Sequence, residues 1–300
     1  MQQLKNNFCQ DNISSSERQK NWFMKRNAIL FLAVIFIFFS SCVSTAYFYS
    51  PGNASAVPYH AIPLQSDSLK GATYLSSIFT LGGANEGWRD GVYSFQERVH
   101  RSNNFGNFQT YYGANISLGT YHIAEYDNVD HPYYPYDTTN YHTYASNKFF
   151  GLYGFNGGIN VVVPIKRGGE WRAIGFETSV QKEFGSYYDF RKNLADSAAD
   201  VVFRKNVTGT IGLYTDIIDK SRHGAEFGYK MSWGFMLNPE SDYTHVYTQN
   251  AVNPVAYFSN TFHFSKDNIT GFVQVNLSNS YAGNIQFGIN YKLGKKQKTL

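Results

Sequence analysis

The sequence is poor in charge. Only 16% of its 300 residues are Asp, Glu, Lys or Arg, against about a quarter in an ordinary soluble domain. A water-facing enzyme surface of the usual Lys- and Glu-rich kind is therefore not present. Cysteine is nearly absent, with only Cys9 and Cys42. Both precede the main body, so neither a disulfide framework nor a cysteine metal site can be built there. There is no basic stripe of the kind nucleic acid requires. After residue 42 no run shows helical periodicity. No Gly-x-Ser-x-Gly elbow and no phosphate-binding loop occurs. Nothing in the sequence implies a cofactor or a metal.

Neutral polar residues and rings take the place of charge. Aromatics reach 18%, with 24 Tyr, 25 Phe and 26 Gly. This mixture suits barrels that sit in lipid, and it also suits a secreted β-sandwich.

The N-terminal region reads as a targeting signal. Ala28–Phe39 is an unbroken apolar run, preceded by Lys25 and Arg26 and followed by Ser40, Ser41 and Cys42. Its length fits a signal-peptide core better than a membrane span. Residues 1–41 hold Lys5, Arg18, Lys20, Lys25 and Arg26 against Asp11 and Glu17. Residues 1–23 add nothing a signal needs, which makes Met24 the expected translation start. Phe39-Ser40-Ser41-Cys42 resembles the lipoprotein signal-peptidase box, roughly Leu-(Ala/Ser)-(Gly/Ala)-Cys, with Phe39 for Leu and Ser41 for Gly or Ala. That resemblance implies acylation of Cys42. Cleavage after Ala46, behind Ser44-Thr45-Ala46, is the alternative.

Residues 42–69 read as an anchor and linker. Pro51, Pro58 and Pro63, with Gly52 and Asn53, are expected to hold the segment extended and free of sheet pairing. The β domain is expected over 70–294, with a basic tail at 295–300 carrying Lys295, Lys296 and Lys298.

Within the domain the hydrophobic period is two. Ile285, Phe287, Ile289, Tyr291 and Leu293 alternate with Asn284, Gln286, Gly288, Asn290 and Lys292. Phe227, Tyr229, Met231, Trp233, Phe235 and Leu237 alternate in the same way. Ten strands are expected, near 71–81, 90–99, 107–123, 149–165, 170–184, 201–218, 224–237, 255–265, 268–278 and 283–293, with a range of eight to twelve. The links 124–148, 185–200 and 238–254 are long, whereas 166–169, 219–223 and 266–267 are short. Only 279–282 breaks the alternation. Short turns on one side and long loops on the other are an outer-membrane arrangement. Both ends of the body then fall on the short-turn, periplasmic side, where a lipid anchor in the inner leaflet would also lie.

A soluble closed barrel alternates too, with its apolar face inward. The polar parity here is Asn, Gln, Ser and Gly rather than Lys and Glu, which suits a packed narrow lumen. Glu177, Glu226, Lys230 and Lys292 are few enough to pair inside. Phe149, Phe150, Tyr187, Tyr188 and Tyr291 are expected in interfacial girdles.

A Lys/Arg signal, a Ser-Cys box, the stretch Tyr47–Pro58 and a Tyr- and Gly-rich meander together resemble the uncharacterised outer-membrane barrel lipoproteins of Bacteroidota. The resemblance runs from Met24 to Leu293 and implies an eight- to twelve-stranded barrel. It supplies no activity and no catalytic residues.

The expected fold is thus an all-β, antiparallel up-and-down barrel. The expected role is a non-catalytic outer-membrane protein: a narrow pore, a structural barrel or a surface binder, in contact with outer-membrane lipid. A lipid-tethered soluble β domain holding an apolar ligand is the alternative, with a lipid-modifying barrel enzyme behind it. The candidate binding loop is 124–148, through Tyr126, Asp127, Asp130, His131, Tyr133, Tyr134, Asp137 and His142, facing a surface glycan or small solute. His131 and His142 fit no zinc spacing. His263 and Ser265 share a strand face, a spacing that resembles barrel lipid A deacylases, but no downstream carboxylate completes a triad.

Overall fold

The computed structural model describes residues 47–52, 57–67, 69–84, 89–124, 145–165, 168–194, 201–237, 242–243, 255–278 and 282–294. The strands are β1 (Tyr47–Phe48), β2 (Gly71–Ala84), β3 (Asp90–Phe105), β4 (Phe108–Ile123), β5 (Ser146–Pro164), β6 (Glu170–Phe184), β7 (Val201–Val202), β8 (Val207–Lys220), β9 (Glu226–Leu237), β10 (Asp242–Tyr243), β11 (Ala256–Lys266), β12 (Ile269–Ser278) and β13 (Gly283–Leu293). A single-turn 3₁₀ segment spans Gln65–Asp67, and one helix, α1, spans Ser186–Asn193.

Ten of these strands close into an antiparallel barrel in chain order, β2-β3-β4-β5-β6-β8-β9-β11-β12-β13, with β13 returning to pair with β2. The seam runs from Gly283↔Gly83 to Leu293↔Thr73 without a break. The expected strands are all present. The sixth starts at Val207 rather than residue 201, because Val201–Val202 leaves the wall to form a separate three-stranded sheet with β1 and β10. The segment 185–200, a long link by sequence, contains α1. Eight residues are too few for the period to stand out, and two of its side chains, Tyr187 and Arg191, are buried.

The faces are inverted relative to a soluble protein. Leu75, Phe79, Leu81, Phe95, Val99, Ile116, Leu118, Phe155, Phe176, Leu213, Trp233, Phe262, Phe287 and Ile289 all point outward and are exposed. Their strand neighbours, among them Ser76, Thr80, Gln96, Asn115, Asn160, Ser179, Gln181, Thr261, Gln274 and Gln286, point inward and are buried. A barrel with this arrangement is built for hydrocarbon outside and polar packing inside. The soluble alternative needs the opposite arrangement and is not the one adopted.

Connections sort by end. Gly106-Asn107, 165–169, 221–225 and Asp267-Asn268 join strands at one mouth. Gly106 sits at φ 59°, in the left-handed region a two-residue hairpin needs. The links 85–89, 124–145, 185–206, 238–255 and 279–282 lie at the other mouth.

The outward belt yields a test. Leu213 lies mid-strand and half exposed. Leu213→Arg should cost about 2–4 kcal/mol in folding into lipid vesicles. A soluble barrel would tolerate the change with little loss, so urea titration of the vesicle-folded protein separates the two.

Candidate functional site: a lumen filled by the chain itself

The Pro-bearing segment before the barrel is not a free linker. Residues 57–64 are buried throughout, with Leu64, Tyr59 and Ala61 almost wholly enclosed. They run down the inside of the barrel as a strap. The structure grips that strap chiefly by its backbone. Val57 O accepts from Gln274 Nε2 at 3.1 Å. Pro58 O and Tyr59 O accept from the two terminal nitrogens of Arg98, at 3.2 and 2.5 Å. Ala61 O accepts from His100 Nε2 and Ser102 Oγ at 2.9 and 3.0 Å. Ile62 O accepts from Arg172 at 2.9 Å, and Pro63 O from Gln109 Nε2 at 3.1 Å.

Proline explains why carbonyls are exposed for this purpose. Pro58 and Pro63 have no N–H to place and hold φ near the extended value, and each disfavours helix in the residue before it. The strap therefore offers acceptors to a wall rich in donors. At the strap's end Gln65 N donates to Glu170 Oε2 at 3.0 Å.

The direction of travel is unambiguous. Phe48 packs at the long-loop mouth with Tyr121, Ile123, Phe150, Tyr187, Leu194 and Val202. Tyr187 hydroxyl donates to Tyr49 O at 3.1 Å and its ring stacks on Tyr121 at 3.9 Å. Burial pushes the Tyr187 phenol well above its ordinary pKa, so it remains a donor. At the other end Ser66 Oγ donates to Gly168 O at 2.9 Å, and Lys220 pairs with Asp67. The chain thus enters at the long-loop mouth, crosses the lumen and emerges beside the tight turns before starting β2. The two ends of the barrel sheet, Gly71 and Leu293, do lie at the short-turn side as expected. Tyr47 lies at the opposite one.

Charges inside the wall form distinct groups. Arg172 bridges Glu170 at 2.9 Å and Asp216 at 2.7 Å, and also reaches Gln109. Lys230 pairs with Glu177 and lies over the Tyr214 ring. Arg191 of α1 pairs with Glu183 at the long-loop end. Arg98 instead contacts neutral groups: the two strap carbonyls, His60, Asn290 and Ser76. Of these, Lys230 and Glu177 were legible as lumen charges. Strand parity alone turns Arg98 and Asp216 inward as well, whereas Arg172 faces the lumen only because a β-bulge between Arg172 and Gly175 reverses the parity of β6.

His263 has a carboxylate partner after all. Its Nε2 lies 3.0 Å from Asp216 Oδ1 and its Nδ1 3.1 Å from the Tyr59 hydroxyl. Asp216 stands two strands away on β8. Gly228 of β9 lies opposite His263, and a Cβ there would come within 2.1 Å of the imidazole. That missing side chain lets the ring lie flat across β9. Asp216 precedes His263 in the sequence, whereas the deacylase spacing places its carboxylate after the serine. The Ser265 and His263 side chains are both otherwise engaged. Ser265 Oγ bonds Thr270 Oγ1 at 2.8 Å, and the Tyr59 ring stacks on His263 at 4.3 Å.

Tyr187, expected in a membrane girdle, is instead buried in the long-loop mouth, and Phe150 points into the same cluster. Phe149 and Tyr291 do face outward. Cys42 and the loop residues Tyr126, Asp127, Asp130, His131, Tyr133, Tyr134, Asp137 and His142 lie outside the described residues.

No protein-family model matches the sequence, and no curated protein does. Solved barrels resemble it at low identity. The translocator domain of autotransporter NalP from Neisseria meningitidis is 9% identical, with a TM-score of 0.39 over 77% of this chain and 91% of that one. The KdgM porin in complex with disordered oligogalacturonate gives 10% and 0.28, over 74% and 99%. LpxR from Salmonella typhimurium gives 8% and 0.33, over 74% and 100%. Likenesses at this level carry no functional meaning for this chain.

Arg172→Met removes the strap's donor at Ile62 and leaves Glu170 and Asp216 buried without their cation. It should cost about 3–5 kcal/mol in urea unfolding. Glu170→Gln with the cation kept should cost less.

Proposed function

We propose that the protein is a non-enzymatic outer-membrane barrel, kept closed by a segment of its own chain. The observation that carries this reading is the strap Val57–Asp67, held by lumen side chains inside a wall whose outer face is apolar. Closed antiparallel barrels with tight turns at one mouth and long links at the other belong to the outer membrane, tight turns in the periplasm. A ten-stranded lumen leaves little room even when empty, and here backbone fills it. The engaged ring of His263 and the paired hydroxyl of Ser265 support a role without catalysis.

In that orientation Tyr47 faces the cell exterior. Four residues separate it from Cys42, and the five steps between them span at most roughly 18 Å at full extension. That is less than the roughly 30 Å hydrocarbon core. Acyl chains on Cys42 would then enter the outer leaflet. The inner-leaflet anchor expected from the sequence assumed that the linker stayed on the periplasmic side. Cleavage after Ala46 would instead leave Tyr47 as a surface-exposed terminus. Either way the residues just before the strap are on the outside, beside the long loops that are the place for a glycan or solute to bind.

Planar-bilayer recording tests closure. The full chain should show no steady conductance. A variant with residues 57–64 replaced by Gly and Ser should open discrete channels, because the donors that held the strap then face water. Equal, silent traces from both would overturn the reading, provided both show heat-sensitive compact migration on gels.

An epitope inserted between Thr45 and Tyr47 tests the orientation. It should bind antibody on intact cells. Binding only after the outer membrane is permeabilised would refute it.

A further inference from the structure

One carboxylate sits where the fold gives it no water. Glu97 lies at the centre of β3 on the outward parity, between the exposed Phe95 and Val99. Its cross-strand neighbours are Ser77 at the centre of β2 and Ile116 at the centre of β4. Beyond Ser77 the same row continues to Ile289. Ser77 Oγ donates to Glu97 Oε1 at 2.7 Å. Among the described strands, His122, Lys182, Asp219 and Lys266 also face outward, but each is within two residues of a strand end, and Arg101 is four from the end of β3. Those side chains reach the interface by extending along the surface. Glu97, at mid-height with a short side chain, cannot.

The surrounding surface is shaped for contact. Phe79, Phe95 and Phe287 stand on one side of the row and Tyr291 and Tyr112 on the other. Beside Glu97 the outward residues include the small Ser77, directly opposite, and Ala114, one row along β4. Small residues beside a polar group let membrane-embedded surfaces approach closely. An ionisable group in the hydrocarbon is expensive without a partner, and one serine hydroxyl satisfies only one of its acceptor positions.

We propose that the β13–β2–β3–β4 face is the interface of a homodimer, with Glu97 of the two copies meeting on the two-fold axis. A two-fold axis along the membrane normal places identical residues at identical depth. The second copy's Glu97 is therefore a polar group already at the required height. Across the axis the two carboxyl groups can hydrogen-bond to each other, and each accepts from its own Ser77. Arg101 does not supply the missing partner within one copy, since it donates to Thr73 and Asn103. By the same symmetry it stays level with its own mate, nearer the short-turn mouth.

Cross-linking in vesicles tests this. Ile116→Cys should react with a short bis-maleimide to give a product of twice the chain mass, above the background of the unsubstituted protein. Ile217→Cys, on β8 across the barrel, should give none. Adding Glu97→Leu to Ile116→Cys should lower the yield at least tenfold while heat-sensitive gel migration shows the barrel intact. Glu97→Gln, which can still hydrogen-bond across the axis, should retain most of it. The proposal is overturned if Ile116→Cys links no better than Ile217→Cys, if the product survives Glu97→Leu, or if its mass is not that of two copies.

Discussion

Hydrocarbon cannot accept or donate a hydrogen bond, and the architecture follows from that. A sheet placed in lipid has to pair its last strand with its first, because a free edge would strand a row of backbone groups. The pairing of β13 with β2 meets this demand along eleven consecutive residue pairs. Closure in turn dictates the side chains. With lipid outside, the apolar parity has to face out, and the neutral polar parity is confined to the lumen. A lumen of Asn, Gln, Ser and buried charge then needs partners of its own. Here they come partly from one another, as in Ser76–Asn290, Asn115–Asn156 and Asn276–Asn284, and partly from strap carbonyls.

The strap and the wall are therefore two halves of one hydrogen-bonding system. Arg98 illustrates the dependence. It is deeply buried, and its partners are carbonyls, an imidazole, an amide and a hydroxyl. A buried cation without a carboxylate is tolerable only where several neutral acceptors converge on it. Arg172 adds the ionic counterpart, coupling the strap to Glu170 and Asp216 at the short-turn end. The wall specifies the strap's path chiefly by placing donors at successive heights, and it also holds the Tyr59 and His60 side chains.

Much of the barrel was readable because period two survives inspection of a single strand. The residues of β13 alternate without exception from Ile285 to Leu293, and the tight turn at Asp267-Asn268 marks its own position. The strap could not be read in that way. Pro58 and Pro63 mean the same thing in a solvated linker and in a lumen: both favour an extended chain without sheet pairing. What distinguishes the two is the set of donors opposite, and those come from β3, β4, β6 and β12, far apart in sequence. His263 and Asp216 were obscure for the same reason. Their contact depends on Gly228 on the strand between them, a residue whose contribution is the absence of a side chain. Glu97 needed both steps, parity to turn it outward and register to place it at mid-height.

The order in which the wall closes matters for a chain that runs through it. The strap immediately precedes β2, and β2 forms one side of the seam with the last strand, β13. Once that seam has zipped, a segment reaching from one mouth to the other can no longer slip in sideways between strands. It could enter only end-on, by reptation. Side-on capture is open only while the sheet is still a curved ribbon, with β2 and β13 apart. On that route the strap acts as a mandrel around which the ribbon bends, its carbonyls gathering Arg98, Gln109 and Arg172 before the edges meet. The barrel is then wrapped around its own leading segment, and sealing of the seam is the step that makes the topology permanent.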